Sequence, residues 1–142
     1  MSRKVLGAVV FAVGIGLAAP GLAEDFTARL GRVPVDSRTQ STIAGIGHAT
    51  AKLDGDRLVV EGDFEGLQGA ATMADLHMGP AVGVRGPAIH QLTVSKDANG
   101  NLSGSVQLSS DEIAALRAGR IYIELASAAA PDGNLWGWLF ME

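Results

Sequence analysis

The sequence contains no cysteine. This absence excludes a disulfide framework, thiol catalysis, zinc–thiolate sites and iron–sulfur clusters, and it also excludes a lipid anchor attached to a cysteine. Aromatic residues are scarce as well, at 5% of the 142 residues, with two tryptophans and one tyrosine. Without covalent links, a domain of this size must be held together by hydrophobic packing.

Basic residues are fewer than acidic ones, and two of them stand at the start of the chain. There are 11 Lys and Arg against 15 Asp and Glu. If the N-terminal segment that contains Arg3 and Lys4 is removed by cleavage, nine basic residues remain and the formal charge is −6. An acidic domain without a basic cluster is a poor partner for phosphates. We therefore expect no binding to nucleic acid or to an anionic membrane surface.

The N-terminus has the three parts of a secretory signal peptide. Arg3 and Lys4 are basic, residues 5–19 are almost wholly apolar, and Ala23 ends a stretch of small residues. The apolar run is shorter than the ~20 residues needed to span a bilayer, so cleavage is favoured over an uncleaved anchor. We predict a signal peptide at residues 1–23, one secreted or periplasmic domain at residues 24–142, and no stable membrane insertion.

The remainder alternates apolar and polar residues in short segments, which is typical of β-strands. The predicted strands are residues 26–31, 46–53, 58–64, 72–77, 88–95, 102–108, 121–125 and 135–141. Between them, hairpin or turn signals stand at Asp54-Gly55, at Asn99-Gly100 and at residues 131–134, and loops are expected at residues 33–42 and 79–87.

One short helix is predicted near residues 110–118. Ser109 and Glu112 have the spacing of a capping box, and Ile113, Leu116 and Gly119 complete about two turns. No strand is followed by a long helix, so a parallel α/β fold is disfavoured. The pattern predicts an all-β antiparallel fold, either a sandwich or a barrel.

Three stretches of the sequence resemble the CHRD domain family, which is named from chordin and includes exported microbial proteins. They are residues 53–67, residues 74–87 and residues 116–137, and the resemblance extends over about residues 26–140. It implies a Greek-key-type antiparallel β-sandwich of about eight strands. Members of the family are regarded as binding or structural modules without an assigned reaction, so we expect a non-catalytic protein rather than an enzyme.

The histidines offer an alternative function. Neutral imidazoles ligate copper or zinc, and the separation of His77 and His90 suits neighbouring strands. His77 also lies in the stretch that resembles the histidine-containing strand of the family. The other interpretation is that each histidine is simply hydrogen-bonded at a strand end. We expect no cofactor, with a copper or zinc site at His77 and His90 as the alternative.

The last predicted strand carries the least usual pattern. Leu135 and Leu139 fall on one face, and Trp136, Trp138 and Phe140 fall on the other, because successive side chains alternate. An exposed aromatic row predicts a binding surface. It would suit an unidentified protein, a small ligand or a second copy in a homodimer. Alternatively, the loop at residues 33–42 covers the row.

Overall fold

The computed structural model describes residues 22–142, so most of the predicted signal peptide, residues 1–21, lies outside the described residues. In chain order the described part forms β1 (Glu24–Arg32), β2 (Ile46–Asp54), β3 (Arg57–Glu65), β4 (Ala71–Met78), β5 (Ala88–Val94), β6 (Gly100–Gln107), α1 (Ser110–Arg117), β7 (Ile121–Ser127), β8 (Leu135–Trp138) and β9 (Phe140–Met141). Among these residues, no helix is both long and apolar enough to cross a membrane.

The strands close into an antiparallel eight-stranded barrel. Their order is β1-β2-β3-β6-β5-β4-β7-β8, with β8 returning to β1 and β9 continuing along β1. The predictions of an all-β antiparallel fold and of one short helix are confirmed, and the order β3-β6-β5-β4 is that of a Greek key. The predicted sandwich is wrong.

Every strand of the barrel has two neighbours, and β1 and β5 are the two that join its halves into one closed sheet. β5 pairs with β4 as far as Leu92 and then with β6 through Thr93 and Val94. β1 pairs with β2 along one edge and with β8 and β9 along the other. A sandwich would leave these edges open, whereas the shared strands satisfy their backbone groups. Strands bury one face in a sandwich and in a barrel alike, so the alternating sequence pattern could not distinguish the two architectures.

Inward-facing side chains fill the barrel. In β3, for example, Leu58, Val60 and Phe64 are buried while the residues between them are mostly exposed. An eight-stranded barrel is just wide enough for its own side chains to fill it. Helix α1 adds Ala115 and Leu116 to the same core.

The local signals were largely correct, with small shifts. The first hairpin turns at Gly55-Asp56, one residue later than predicted, because Asp54 still pairs with Arg57 and Gly55 takes a φ of 64°. The second predicted turn, at Asn99-Gly100, is shifted as well: Gly100 belongs to β6, and the turn before it spans residues 95–99. The capping box of α1 is confirmed. There the Glu112 N–H donates to the Ser109 hydroxyl, and the Ser109 N–H donates to the Glu112 carboxylate.

Candidate aromatic groove

The outer surface of the barrel has two unlike sides. On the open side, formed by β1, β2, β3 and β6, outward side chains are mostly exposed. On the covered side, formed by β4, β7 and β8, the outward-facing Tyr122 is fully buried. A loop of residues 79–87, here called the covering loop, lies over it. The polypeptide thus builds a second layer outside three of the eight strands of the barrel.

Three hydrogen bonds at Gly86 hold the covering loop. The Tyr122 hydroxyl donates to the Gly86 carbonyl at 3.0 Å and accepts from the Gly86 N–H at 3.0 Å. Nδ1 of His77 lies 2.9 Å from the same carbonyl. Since a carbonyl oxygen only accepts, this nitrogen carries the proton, and Nε2 is the acceptor in the neutral ring.

An aromatic cluster occupies the covered side because three strands are in register. His77 pairs with Tyr122, and Tyr122 pairs with Trp138. The His77 ring stacks on Tyr122 with 4.9 Å between centroids, and Trp138 lies 4.3 Å from Tyr122 on its other flank. Trp136 lies next along the strand, with its centroid 6.0 Å from that of Trp138. Each ring therefore fixes the next one.

Arg85 of the covering loop fixes Trp136. Its guanidinium donates to both carboxylate oxygens of Glu124 at 2.9 Å and lies 4.8 Å from the centroid of a Trp136 ring. Trp136 also packs against the buried Val33 and Ile43. Val33, at the start of the loop at residues 33–42, therefore belongs to the cluster that packs against Trp136, and covering of the aromatic row by this loop stays a prediction.

The rest of the row faces an open groove. Thr27 stands opposite Phe140, and Gly31 stands opposite Trp136. When the same register is continued between these two pairs, Arg29 stands opposite Trp138. The backbone pairing of β1 with β8 and β9 is interrupted at this point. The groove of about 430 Å³ at this place is called the aromatic groove, and its lining residues are Thr27, Arg29, Gly31, Trp136, Gly137, Trp138 and Phe140.

Gly137 allows the two walls of the groove to approach. A Cβ at this position would lie 2.5 Å from the Arg29 carbonyl oxygen and 2.8 Å from a methyl carbon of Leu30. Any larger residue would push β8 away from β1. Trp136 and Trp138 are half-buried and Phe140 is 48% exposed, so the aromatic wall stays accessible.

The predicted metal ligands lie in different surroundings. His77 stacks on Tyr122 in the covered side, whereas His90 places Nε2 3.1 Å from the carboxylate of Glu112 in α1. In residues 22–142, no group of three or more His, Asp or Glu is arranged to hold a metal ion. The copper or zinc hypothesis stays a prediction that no observation favours.

Two carboxyl groups near these histidines have shifted pKa values in opposite directions. Burial raises the pKa of Asp75, and the Glu124 carboxylate adds to this increase against the opposing effect of His77. Burial would also raise the pKa of Glu112, but hydrogen bonds from the Ser109 backbone and from His90 outweigh it and lower that pKa.

The sequence interpretation missed one wall of the groove and the arginine that fixes Trp136. The alternation of β1 does place Thr27, Arg29 and Gly31 outward. Their meeting with the last strand depends on a pairing between opposite ends of the described domain, which no local pattern encodes. Arg85 lies in a loop whose path over Glu124 has no periodic signal.

Comparison with known proteins gives a family assignment. No curated protein and no solved structure matches the chain. The family model of the CHRD domain matches residues 26–139, which confirms the resemblance noted above. That match includes β1 from Phe26 onward, the covering loop and both tryptophans of the groove. The chain belongs to the CHRD domain family.

Proposed function

We propose that this chain is an exported, non-catalytic binding module that holds its partner or ligand in the aromatic groove. Membership of the CHRD family supports a binding or structural role in general terms. The observation that carries the specific proposal is the row of Trp136, Trp138 and Phe140 along one wall of an accessible groove. Tryptophan is prominent among the residues that dominate binding energies.

The groove is also arranged in advance of binding. Trp138 rests against Tyr122, and Trp136 is held by Arg85, Val33 and Ile43. A side chain that is already ordered loses little rotamer entropy when a ligand arrives, at a saving of about 0.5–1.5 kcal/mol for each flexible side chain. Tyr122 and Arg85 thus support the binding surface although neither lines the groove.

Selective retention on immobilised protein tests this function. The native protein, Trp138→Ser and Phe140→Ser would be coupled to resin and exposed to the extracellular fraction of the host. Val59→Ser is the matched control, because Val59 is a 42% exposed apolar residue on the open side. Material retained by the native protein and the control, and lost with both groove variants, supports the proposal.

The same material retained on all four resins would contradict it. Circular dichroism and urea unfolding of each variant would show that the fold is intact, since Trp138 and Phe140 both lie outside the barrel core. Export is tested separately by N-terminal sequencing of the protein recovered outside the cytoplasm. Cleavage after Ala23 predicts Glu24 as the first residue.

A further inference from the structure

We infer that the occupant of the aromatic groove is an oligosaccharide bearing a carboxylate, which Arg29 binds while Trp138 and Phe140 stack on sugar rings. This inference rests on the proposed function and adds the chemical class of the ligand. It depends on three properties of the groove: one uncompensated cation, a row of rings, and a polar wall opposite that row.

The cation is Arg29, which lines the groove and is exposed. Within residues 22–142 it has no ion-pair partner, as is also true of Arg32, Arg38, Arg57 and Arg120, and it differs from these in lining the groove beside the aromatic row. A free arginine in an otherwise acidic protein provides a local site for an anion. Its planar fork of N–H donors matches the two oxygens of a carboxylate.

The row of rings indicates a ligand with repeated flat units. Trp136, Trp138 and Phe140 are alternate residues on one face of the strand, and the rings of Trp136 and Trp138 lie 6.0 Å apart with their planes inclined at 64°. The negative face of an aromatic ring attracts the positively polarised C–H hydrogens of a pyranose. A sugar chain can present such a face at successive units, whereas a single aromatic acid presents one ring.

The opposite wall indicates a ligand with hydroxyl groups along one edge. Thr27 and Arg29 supply polar groups across the groove from Phe140 and Trp138. A sugar combines an apolar face with a polar rim and fits both walls. The groove is an open channel rather than an enclosed cavity, so it would leave an acyl chain in water.

The overall charge limits how many carboxylates the ligand carries. Without Arg3 and Lys4 the formal charge is −6, and the groove contains one free arginine. A strongly charged polyanion would be repelled by the surrounding surface. The ligand is therefore a largely neutral saccharide with an isolated uronate.

Tryptophan fluorescence measures this binding directly, because both tryptophans of the chain line the groove. The acidic probe is xylotriose bearing one glucuronate, and the neutral probe is xylotriose. We expect the acidic probe to bind about tenfold more tightly, since a charge-assisted bidentate contact is added. Arg29→Gln should reduce its affinity to that of the neutral probe, and higher salt should weaken it. Arg57→Gln, an exposed arginine outside the groove, should change neither affinity.

Four results would overturn the inference. These are equal binding of the two saccharides, no effect of Arg29→Gln, equally tight binding of benzoate, and no binding of either saccharide. A dimer seen by sedimentation, and dissociated by Phe140→Ser, would instead assign the groove to a second copy of the chain. The resin experiment decides the proposed function independently, because it makes no assumption about the ligand.

Discussion

The open and covered sides of this barrel share one core but differ in how their outer faces are used. In β2 the buried and exposed residues alternate along the strand. In β7 every residue except Glu124 is buried, because the covering loop and the aromatic cluster pack on the outer face. The inner face of each strand maintains the barrel, and the additional outer layer on one side orders the tryptophans of the groove.

This difference implies two levels of stability. The core contains aliphatic side chains from both sides, whereas the covering loop is attached by polar contacts: hydrogen bonds at Gly86, at Pro87 and between Gly79 and Arg120, and the Arg85–Glu124 pair. Segments with few apolar contacts open at a lower free energy than the core does. We therefore expect the outer layer to be lost before the barrel unfolds.

The largest effect is expected from Gly86→Ala. A Cβ at this position would overlap the carbonyl oxygen of Met78, so the backbone of the covering loop must move and its bonds to Tyr122 are lost. We expect a loss of about 3 kcal/mol in the free energy of unfolding, measured in urea. Gly31→Ala is the matched control, since its Cβ would meet no atom within 4 Å. Equal stability of the two variants would show that the loop is not sterically fixed at Gly86.

Tyr122→Phe should weaken the same outer layer, but by less than Gly86→Ala does. It keeps the ring stacked on His77 and removes the hydroxyl that bonds both polar groups of Gly86. We expect a loss of about 1–2 kcal/mol, because the partly buried Gly86 N–H is left without its acceptor. Faster hydrogen exchange at the Gly86 amide should accompany it. Thr50→Val, on the open side, should change neither quantity, and unchanged exchange in Tyr122→Phe would contradict the role of the hydroxyl.

The contrast between the sides also explains what the sequence could reveal. Strand positions, the capping box at Ser109 and the inward set Leu58, Val60 and Phe64 follow from local periodicity, and the structure confirms them. Closure into a barrel depends on β1 and β5 pairing with two neighbours each. The alternation along a strand is the same whether its second edge is open or paired.

Only the aromatic wall of the groove was predictable from the sequence. Trp136, Trp138 and Phe140 stood out because alternation placed large rings where polar residues are expected. Tyr122 was harder to place, since a nearly continuous apolar run in β7 does not show which residues face outward into a second layer. Arg29 and Arg85 became part of the site through long-range pairing and the path of a loop, which single-sequence patterns do not record.

Removal of the Arg85–Glu124 pair should have a moderate effect on the covered side. Arg85→Gln loses the ion pair and the contact with the Trp136 ring, and we expect a cost of about 1 kcal/mol in the free energy of unfolding. A double-mutant cycle with Glu124→Gln isolates the ion-pair contribution. The Lys52–Asp25 pair on the open side, at 3.9 Å and well exposed, is the control and should show almost no coupling. Equal coupling in the two cycles would remove this distinction between the sides.

The smallest effect concerns two carboxylates whose pKa values move in opposite directions. Burial on the covered side raises the pKa of Asp75, whereas a hydrogen bond from Arg117 lowers that of Glu24 in β1. Asp75 in its ionised form therefore destabilises the fold at neutral pH, and this cost disappears as the pH falls through its raised pKa. Glu24 stabilises the fold above the ordinary glutamate pKa, and this contribution is lost as the pH falls through the lowered value.

Substitution by the amides should reveal those opposite signs. We expect Asp75→Asn to gain about 0.3 kcal/mol at pH 7, a small amount because solvent screens this partly exposed group. Glu24→Gln should lose stability at the same pH. Urea unfolding between pH 7 and pH 3 should show both differences shrinking toward zero, because the protonated acids and the amides are alike in charge. A gain for Asp75→Asn that persists in acid would mean that packing, rather than the cost of burying a charge beside Glu124, distinguishes this position.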